Sequence, residues 1–156
     1  MLSLSIPGFG PLTLEQAVLD YNGTLAVDGL LLPGVRNALN RLSEQLAIHV
    51  VTADTFGKAA QGLAGVHCRL TVLEGAQQDQ AKVDFVNRLG AERTVSIGNG
   101  RNDACMLAAS ALGIAVILGE GAAVASINAA DIVCTDVVSA LELLNHPLRL
   151  TATLRF

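Results

Sequence analysis

Short apolar segments alternate with amphipathic segments along almost the whole chain, and this alternation limits the possible folds more than any other feature. The predicted strands are near-continuous apolar runs over 17–22, 48–54, 69–73, 94–98, 113–118 and 131–135. The predicted helices lie over 33–46, 55–63, 77–89, 102–110, 122–128 and 137–144. Strands that alternate with helices form parallel sheets through right-handed crossovers, and continuous apolar strands are buried on both faces. The sequence therefore predicts a doubly wound α/β fold, with a mostly parallel sheet inside a three-layer α/β/α arrangement.

The two ends of the chain have a different, period-two pattern. Leucine and isoleucine alternate with serine over 2–6, and apolar residues alternate with arginine and threonine over 148–156. Such alternation indicates a strand, or a tail whose apolar side covers a surface. We therefore expect one domain over residues 1–156 with peripheral, strand-like ends at 1–14 and 146–156. These ends are candidates for a contact that makes a homo-oligomer.

Composition excludes several classes of protein. Apolar residues make up 51% and charged residues 15%, which excludes intrinsic disorder. The net charge of -4 and the aromatic content of 3% provide neither a basic surface nor a stacking platform for nucleic acid. No apolar run reaches the roughly 18 residues of a membrane span. We expect a cytoplasmic protein without nucleic-acid or membrane partners, in which Cys68, Cys105 and Cys134 are reduced thiols.

Polar residues follow several predicted strands at their carboxyl ends, which is where open parallel sheets bind ligands. Asp20 ends the first apolar run, Thr52 ends the second, and Asn99 follows the fourth. Lys82 lies near the start of the helix before that fourth strand, and Asp103 lies in the loop after it. The sequence thus predicts a carboxylate, a hydroxyl, an ammonium and a second carboxylate in one crevice.

Four ordered motifs carry a resemblance to a known family. The sequence LDYNGT at 19–24 resembles the D-x-D-G-T nucleophile motif of the haloacid dehalogenase-like phosphohydrolases, which is D-K-T-G-T in their P-type-ATPase branch. The sequence IGNGRNDACML at 97–107 resembles the G-D-G-x-N-D-A-x-x-L hinge motif of that branch, and 113–133 is similar to the segment that follows it. Thr52 and Lys82 match the second and third motifs of the family in type, order and spacing.

The resemblance extends over 17–144 and points in particular to the small, soluble P-type-ATPase-like phosphatases, which carry DYNGT and GNGxND. It implies a Rossmann-like core and a nucleophile, Asp20, that becomes an aspartyl phosphate. It also implies that Thr52 and Lys82 bind phosphoryl oxygens and that Asn22 occupies the acid–base position. The residues expected to surround the phosphate are Gly23, Thr24, Ala53 and Gly100. The implied cofactor is Mg²⁺, and its expected ligands are Asp20, the backbone carbonyl of Asn22, Asn99 and Asp103.

Two positions depart from the family motif. Asn22 stands where the phosphatases carry an aspartate that acts as general acid and base, and an amide cannot transfer a proton in that way. Because such catalysis contributes about 10²- to 10⁴-fold, we expect slow hydrolysis that favours good leaving groups. Asn99 replaces an aspartate that binds metal, which removes one negative charge and should weaken Mg²⁺ binding.

The spacing of the motifs leaves no room for a cap domain. Only 31 residues separate Asp20 from Thr52, and 29 separate Thr52 from Lys82. A helix and a strand fill each interval, so we expect an open site. An open site suits a phosphoprotein as well as a phosphorylated small molecule.

Other interpretations remain open. The chain is alternatively a degenerate scaffold that binds phosphate or a partner without turnover, or a receiver-like phosphoacceptor in which Asp20 is phosphorylated by a partner. Thr52 and Asp103 also suit helix caps, and Lys82 also suits a solvated helix face. Arg101 is compatible with a contact to an anionic substrate or with simple exposure.

Overall fold

The computed structural model describes residues 1–54 and 57–156. The strands are β1 (Leu2–Ile6), β2 (Gly10–Leu14), β3 (Gln16–Asp20), β4 (Ala26–Val27), β5 (Leu30–Leu31), β6 (Ala47–Thr52), β7 (Arg69–Val72), β8 (Thr94–Gly98), β9 (Leu112–Val116) and β10 (Ile132–Cys134). The α-helices are α1 (Val35–Leu42), α2 (Ala59–Gly62), α3 (Gln78–Leu89), α4 (Ala104–Ala109), α5 (Val124–Ala129), α6 (Val137–Asn145) and α7 (Pro147–Leu154). Short 3-10 helices cover Ala91–Arg93 and Arg101–Asp103. The predicted helix over 55–63 lies partly outside the described residues.

Six strands form a parallel sheet in the order β10-β9-β8-β3-β6-β7. β3 lies inside the sheet between β6 and β8, and Leu19 is opposite Val50 on one side and Ile97 on the other. All residues of β8 and β9 are buried, as expected for strands covered on both faces. The prediction of a doubly wound α/β fold is confirmed.

Side chains alternate between the two faces of the sheet, and each face has its own apolar cluster. Val18 of β3 packs with Val51, Val86 and Met106 on the face that α3 and α4 cover. The neighbouring residue Leu19 belongs to the larger cluster on the opposite face, with α1 and α6. These two clusters give the three-layer arrangement. No helix within the described residues is long and apolar enough to cross a membrane.

Two small hairpins lie outside the main sheet. β1 and β2 pair antiparallel. One face of this hairpin packs into the larger cluster through Leu2, Ile6, Leu12 and Leu14. β4 and β5 form a second hairpin directly after the loop that follows Asp20. The described residues between β3 and β6 hold this hairpin and α1 but no inserted cap domain.

The C-terminal segment is a helix, so the prediction of a strand-like end over 146–156 is wrong. Pro147 occupies the first turn of α7, where its missing N–H costs nothing. Leu150 and Leu154, four residues apart, lie on one face, and Leu150 is completely buried while Leu154 packs against the core. Leu148 is 85% exposed. A helix satisfies its backbone hydrogen bonds internally, which a lone tail without a neighbouring strand cannot do.

Candidate active site

The carboxyl ends of three adjacent strands bring the predicted residues to one edge of the sheet. Asp20 is the last residue of β3, Thr52 is the last residue of β6, and Asn99 follows the last residue of β8. β3 lies between the other two strands, so the three side chains converge. All three are buried, with Asp20 7% exposed and Thr52 1% exposed.

Lys82 joins this group from α3. Its Nζ atom lies 2.7 Å from Oδ1 of Asp20 and 2.6 Å from Oδ1 of Asp103. Lys82 lies one helical turn before Val86, which packs against the sheet, and the same helix face therefore carries the lysine inwards. When both carboxylates are ionised, the group has one surplus negative charge.

Burial controls the ionisation of this group. Burial, and then the nearby charge of Asp103, raise the pKa of Asp20 to about 7 even though Lys82 opposes this shift. Burial would lower the pKa of Lys82, but the two carboxylates and their hydrogen bonds outweigh it and raise that pKa. Lys82 is therefore charged at neutral pH, while Asp20 needs a further positive charge nearby to stay fully ionised.

Thr24 links Asp20 to the loop after β8. Its Oγ1 atom lies 3.2 Å from Oδ2 of Asp20 and 3.2 Å from Oδ1 of Asn99. A hydroxyl has one hydrogen to donate, so Thr24 donates to only one of these two oxygens at a time and the other can accept a hydrogen bond from a different donor.

The Asp103 carboxylate binds the backbone amides of the loop after β8. Its Oδ2 atom accepts hydrogen bonds from the backbone N–H of Asn99 at 2.9 Å and of Gly100 at 2.8 Å. Its other oxygen contacts Lys82, and the residue is fully buried. Three of about four accepting positions of this carboxylate are thus used, so a metal bound directly by Asp103, which the sequence predicted, would share Oδ1 with Lys82.

The loop over 117–123 and the first turn of α5 hold Asn99 and Gly100 in place. Nδ2 of Asn99 donates a hydrogen bond to the carbonyl oxygen of Gly121 at 3.0 Å, and the N–H of Ala123 donates to the carbonyl of Asn99 at 2.8 Å. Ser126 is buried and its hydroxyl donates to the carbonyl of Gly100. Sequence analysis did not identify this supporting role, and small residues after a glycine turn gave no specific signal for it.

The remaining predicted residues border the same edge. Oγ1 of Thr52 accepts a hydrogen bond from the N–H of Asp54 at 2.9 Å, which leaves the hydroxyl hydrogen free to donate to a ligand. Ala53 is exposed beside it. Gly23 has a φ of 79°, and a Cβ there would lie 2.3 Å from Nδ2 of Asn99. Glycine is therefore required where the loop passes Asn99.

Comparisons of sequence give one relative. No protein-family model matches this chain. The chain is 42% identical to the uncharacterized protein MJ0073 of Methanocaldococcus jannaschii over 79 residues, which are 48% of this chain and 85% of that protein. The two proteins belong to one family.

Comparisons of structure give several neighbours. A 3-deoxy-D-manno-octulosonate 8-phosphate phosphatase from Moraxella catarrhalis, solved with magnesium ion, phosphate ion and KDO, has a TM-score of 0.65 at 15% identity and covers 91% of this chain and 94% of its own. A candidate HAD superfamily (subfamily III A) hydrolase from Legionella pneumophila has a TM-score of 0.64 at 15% identity, over 90% of this chain and 87% of its own. This chain therefore has the same fold as these haloacid dehalogenase-like hydrolases.

The fold of this chain also matches a pump domain. The catalytic domain of the CPx-ATPase CopB-B has a TM-score of 0.60 at 25% identity. The match covers 74% of this chain and 46% of that one. The resemblance to P-type ATPases that the motifs indicated is therefore present in the fold as well.

The oxygen atoms at this candidate site fit a hard divalent cation. Oδ1 of Asn22 is buried and has no hydrogen-bond partner among the described residues. This oxygen, the carboxylate of Asp20 and the amide oxygen of Asn99 are the kind of donor that Mg²⁺ prefers. No group of three His, Cys, Asp or Glu side chains suited to a metal occurs in 1–54 and 57–156.

Proposed function

We propose that this protein is a Mg²⁺-dependent phosphohydrolase or phosphotransferase that works through an aspartyl phosphate on Asp20. The observation that carries the proposal is the buried contact between Asp20 and Lys82, 2.7 Å apart at the carboxyl edge of the sheet. Phosphoryl transfer needs a nucleophile in line with phosphorus and positive charge on the phosphoryl oxygens. This pair offers both.

In the first step, a carboxylate oxygen of Asp20 attacks phosphorus, and the bond from phosphorus to the leaving-group oxygen breaks. The Lys82 ammonium compensates the charge of the phosphoryl oxygens, and the Thr52 hydroxyl donates a hydrogen bond to one of them. In the second step, water attacks the aspartyl phosphate, which releases phosphate and restores the carboxylate. Two easier displacements thus replace one difficult step.

The cation has a defined place in this proposal. Asp20, Asn22 and Asn99 would hold it, and a bound Mg²⁺ would supply Lewis-acid stabilisation of charge on the phosphoryl group. Since burial raises the pKa of Asp20 to about 7, added positive charge also favours the ionised nucleophile. Lys82 alone leaves the group with a surplus negative charge.

Asn22 sets the expected substrate class. Its amide can orient a leaving group or a water molecule but cannot transfer a proton. The leaving groups of acyl phosphates, phosphoanhydrides and aryl phosphates depart without protonation. These substrates should therefore react faster than alkyl monoesters. The open, capless edge suits a phosphorylated small molecule or a phosphoprotein.

Turnover of p-nitrophenyl phosphate and acetyl phosphate, with and without Mg²⁺, tests the proposal. The Asp20→Asn variant should lose activity, while the matched control Asp84→Asn on the exposed side of α3 should retain it. A hydroxylamine-sensitive phosphoprotein that accumulates without turnover would identify a phosphoacceptor. Folded protein that shows neither turnover nor phosphorylation would identify a scaffold, and unchanged activity in Asp20→Asn would refute the role of Asp20.

A further inference from the structure

A cavity of about 500 Å³ is lined by residues that lie close in sequence to the site residues, and it has no part in the mechanism above. It lies between the first turn of α3, the 3-10 helix before α4, α4 itself and α5. Its lining residues are Ala76, Gln78, Asp79, Arg101, Asn102, Ala104, Cys105 and Ala125. Several of these side chains are short, which leaves space inside the cavity, and the amides and charged groups provide specific contacts.

The cavity is next to the catalytic group along two elements. Gln78 and Asp79 lie one helical turn before Lys82, and residues so spaced are neighbours on a helix surface. Arg101 lies two residues before Asp103, which holds Lys82 from the other side. Within the described residues, neither Asp20 nor Lys82 lines the cavity. The cavity is therefore placed to receive a part of the substrate other than the transferred phosphoryl group.

Arg101 gives the cavity its chemical preference. Its side chain is exposed and has no hydrogen bond or ion pair with any of the described residues. A guanidinium presents a planar fork of donors that matches carboxylate and phosphate oxygens. Asp79 is the acidic residue of the lining, so a ligand that fills the cavity with negative charge is disfavoured, while a hydroxyl or ammonium group beside Asp79 is accepted.

We propose that this cavity binds the non-transferred part of the substrate and that Arg101 recognises a second anionic group, a carboxylate or a phosphate, on that part. The inference rests on the proposed function, because it assigns the reacting phosphoryl group to Asp20. The substrate class is then a phosphorylated compound with one further anion. Arg101 is the specificity-determining residue.

Cys105 offers a probe of occupancy that does not depend on turnover. It lines the cavity and is exposed, whereas Cys68 and Cys134 are half-buried and burial raises the pKa of both thiols. Alkylation by iodoacetamide, resolved by peptide mass spectrometry, follows all three thiols at once. Ligands that occupy the cavity should slow alkylation of Cys105 and leave the other two rates unchanged.

The ligands are phosphonates, which are not hydrolysed, tested in the presence of MgCl₂. Three series of equal chain length are compared: alkylphosphonates, ω-carboxyalkylphosphonates and alkylene bisphosphonates. A charge-assisted contact to Arg101 predicts that one of the doubly anionic series protects Cys105 at about tenfold lower concentration than the alkyl series. Whichever series protects better identifies the anion as carboxylate or phosphate.

Variants decide whether Arg101 is responsible. Arg101→Gln should abolish the advantage of the second anion, and Arg149→Gln, an exposed arginine on α7, should leave it intact. Equal protection by all three series, or an advantage that survives in Arg101→Gln, overturns the inference. If p-nitrophenyl phosphate is hydrolysed but the second anion gives no advantage, only this inference fails. If the advantage is present without any hydrolysis or phosphorylation, the cavity is supported and the proposed function fails.

Discussion

The side-chain amide of Asn99 donates a hydrogen bond to the carbonyl oxygen of Gly121, with a nitrogen–oxygen distance of 3.0 Å. The other end of the same amide, its oxygen, lies 3.2 Å from the hydroxyl of Thr24. An aspartate at this position accepts hydrogen bonds equally well but has no N–H to donate. Asn99, one of the two residues that depart from the family motif, thus fastens the loop over 117–123 to the site.

Asn99→Asp should therefore lower the stability of the metal-free protein and raise its affinity for Mg²⁺. Without Mg²⁺, the new carboxylate faces the Gly121 carbonyl, and we expect a loss of about 1–3 kcal/mol in the free energy of unfolding. With Mg²⁺, the added negative charge should make the stabilisation by metal larger than in the wild type. Urea unfolding with and without MgCl₂ measures both effects, with Asn87→Asp on the exposed side of α3 as control. Equal stability of Asn99→Asp and wild type without metal contradicts this account.

Lys82→Met should remove activity and destabilise the fold. It leaves Asp20 and Asp103 buried without their cation, and breaking a buried pair in this way costs about 3–5 kcal/mol. The pKa of Asp20, already about 7, should rise further, so this carboxyl is protonated at low pH. A group whose pKa is raised by folding stabilises the fold below its unfolded pKa and loses that contribution as pH rises.

Chemical denaturation of Lys82→Met at pH 5.5 and pH 8 measures this pH dependence. The loss in the free energy of unfolding should be greater at pH 8. The double variant Lys82→Met/Asp20→Asn should regain part of the stability but no activity. Lys58→Met replaces an exposed lysine and serves as the control. A loss that is independent of pH would show that Asp20 does not titrate as described.

Asn22→Asp should restore a proton-transferring group beside the nucleophile. We expect hydrolysis of alkyl phosphate monoesters to rise by about 10- to 100-fold, with a smaller gain for acetyl phosphate, whose leaving group needs no proton. Steady-state kinetics on both substrates, with circular dichroism to confirm the fold, provides the measurement. A flat or lower rate on the monoester counts against the interpretation of Asn22.

The strands and the order of the motifs could be predicted because they depend on local sequence. Apolar runs such as the one that ends at Asp20 are unambiguous when both faces of a strand are buried. The hydrogen bond between Asn99 and Gly121 could not be predicted, because it joins loops 22 residues apart whose relative position depends on packing. The role of Asp103 behind Lys82 was missed for the same reason, since the sequence shows a carboxylate but not which of its oxygens are engaged.

Leu150→Ala and Leu148→Ala form a matched pair for the one element that was predicted wrongly. In a strand these two residues would share a face, whereas in α7 Leu150 is completely buried and Leu148 is 85% exposed. We expect Leu150→Ala to cost about 2–4 kcal/mol and Leu148→Ala to cost less than about 0.5 kcal/mol, measured by urea unfolding. Similar costs for the two variants would favour the strand.

Asp136→Ala should destabilise α6 in a pH-dependent way. The Asp136 carboxylate caps this helix by accepting hydrogen bonds from the N–H of Ser139 at 2.9 Å and of Val138 at 3.3 Å. A hydrogen bond from the Ser139 hydroxyl, together with these amides, lowers the pKa of Asp136. The stabilisation is therefore present above the ordinary aspartate pKa and lost as pH falls through the lowered value.

At pH 7 we expect Asp136→Ala to cost about 1 kcal/mol in the free energy of unfolding, and this cost should shrink as pH falls below the ordinary aspartate pKa. Asp136→Asn keeps a capping oxygen and should cost less at neutral pH. Thermal unfolding of the three proteins at several pH values gives the comparison. A cost for the alanine variant that stays constant down to pH 2 would mean that the carboxylate charge is irrelevant to the cap.

The place of β3 inside the sheet has a consequence for biosynthesis. Its two partners, β6 and β8, are both translated later. Lys82 is translated after β6, and Asp103 is translated after β8. Until α3 leaves the ribosome, the nascent chain presents Asp20 without its counter-ion, and until β8 follows, β3 lacks one of its two neighbours. Assembly of the phosphate site is then a late, nearly simultaneous event in co-translational folding, and a chain truncated before β8 should contain no partly working site.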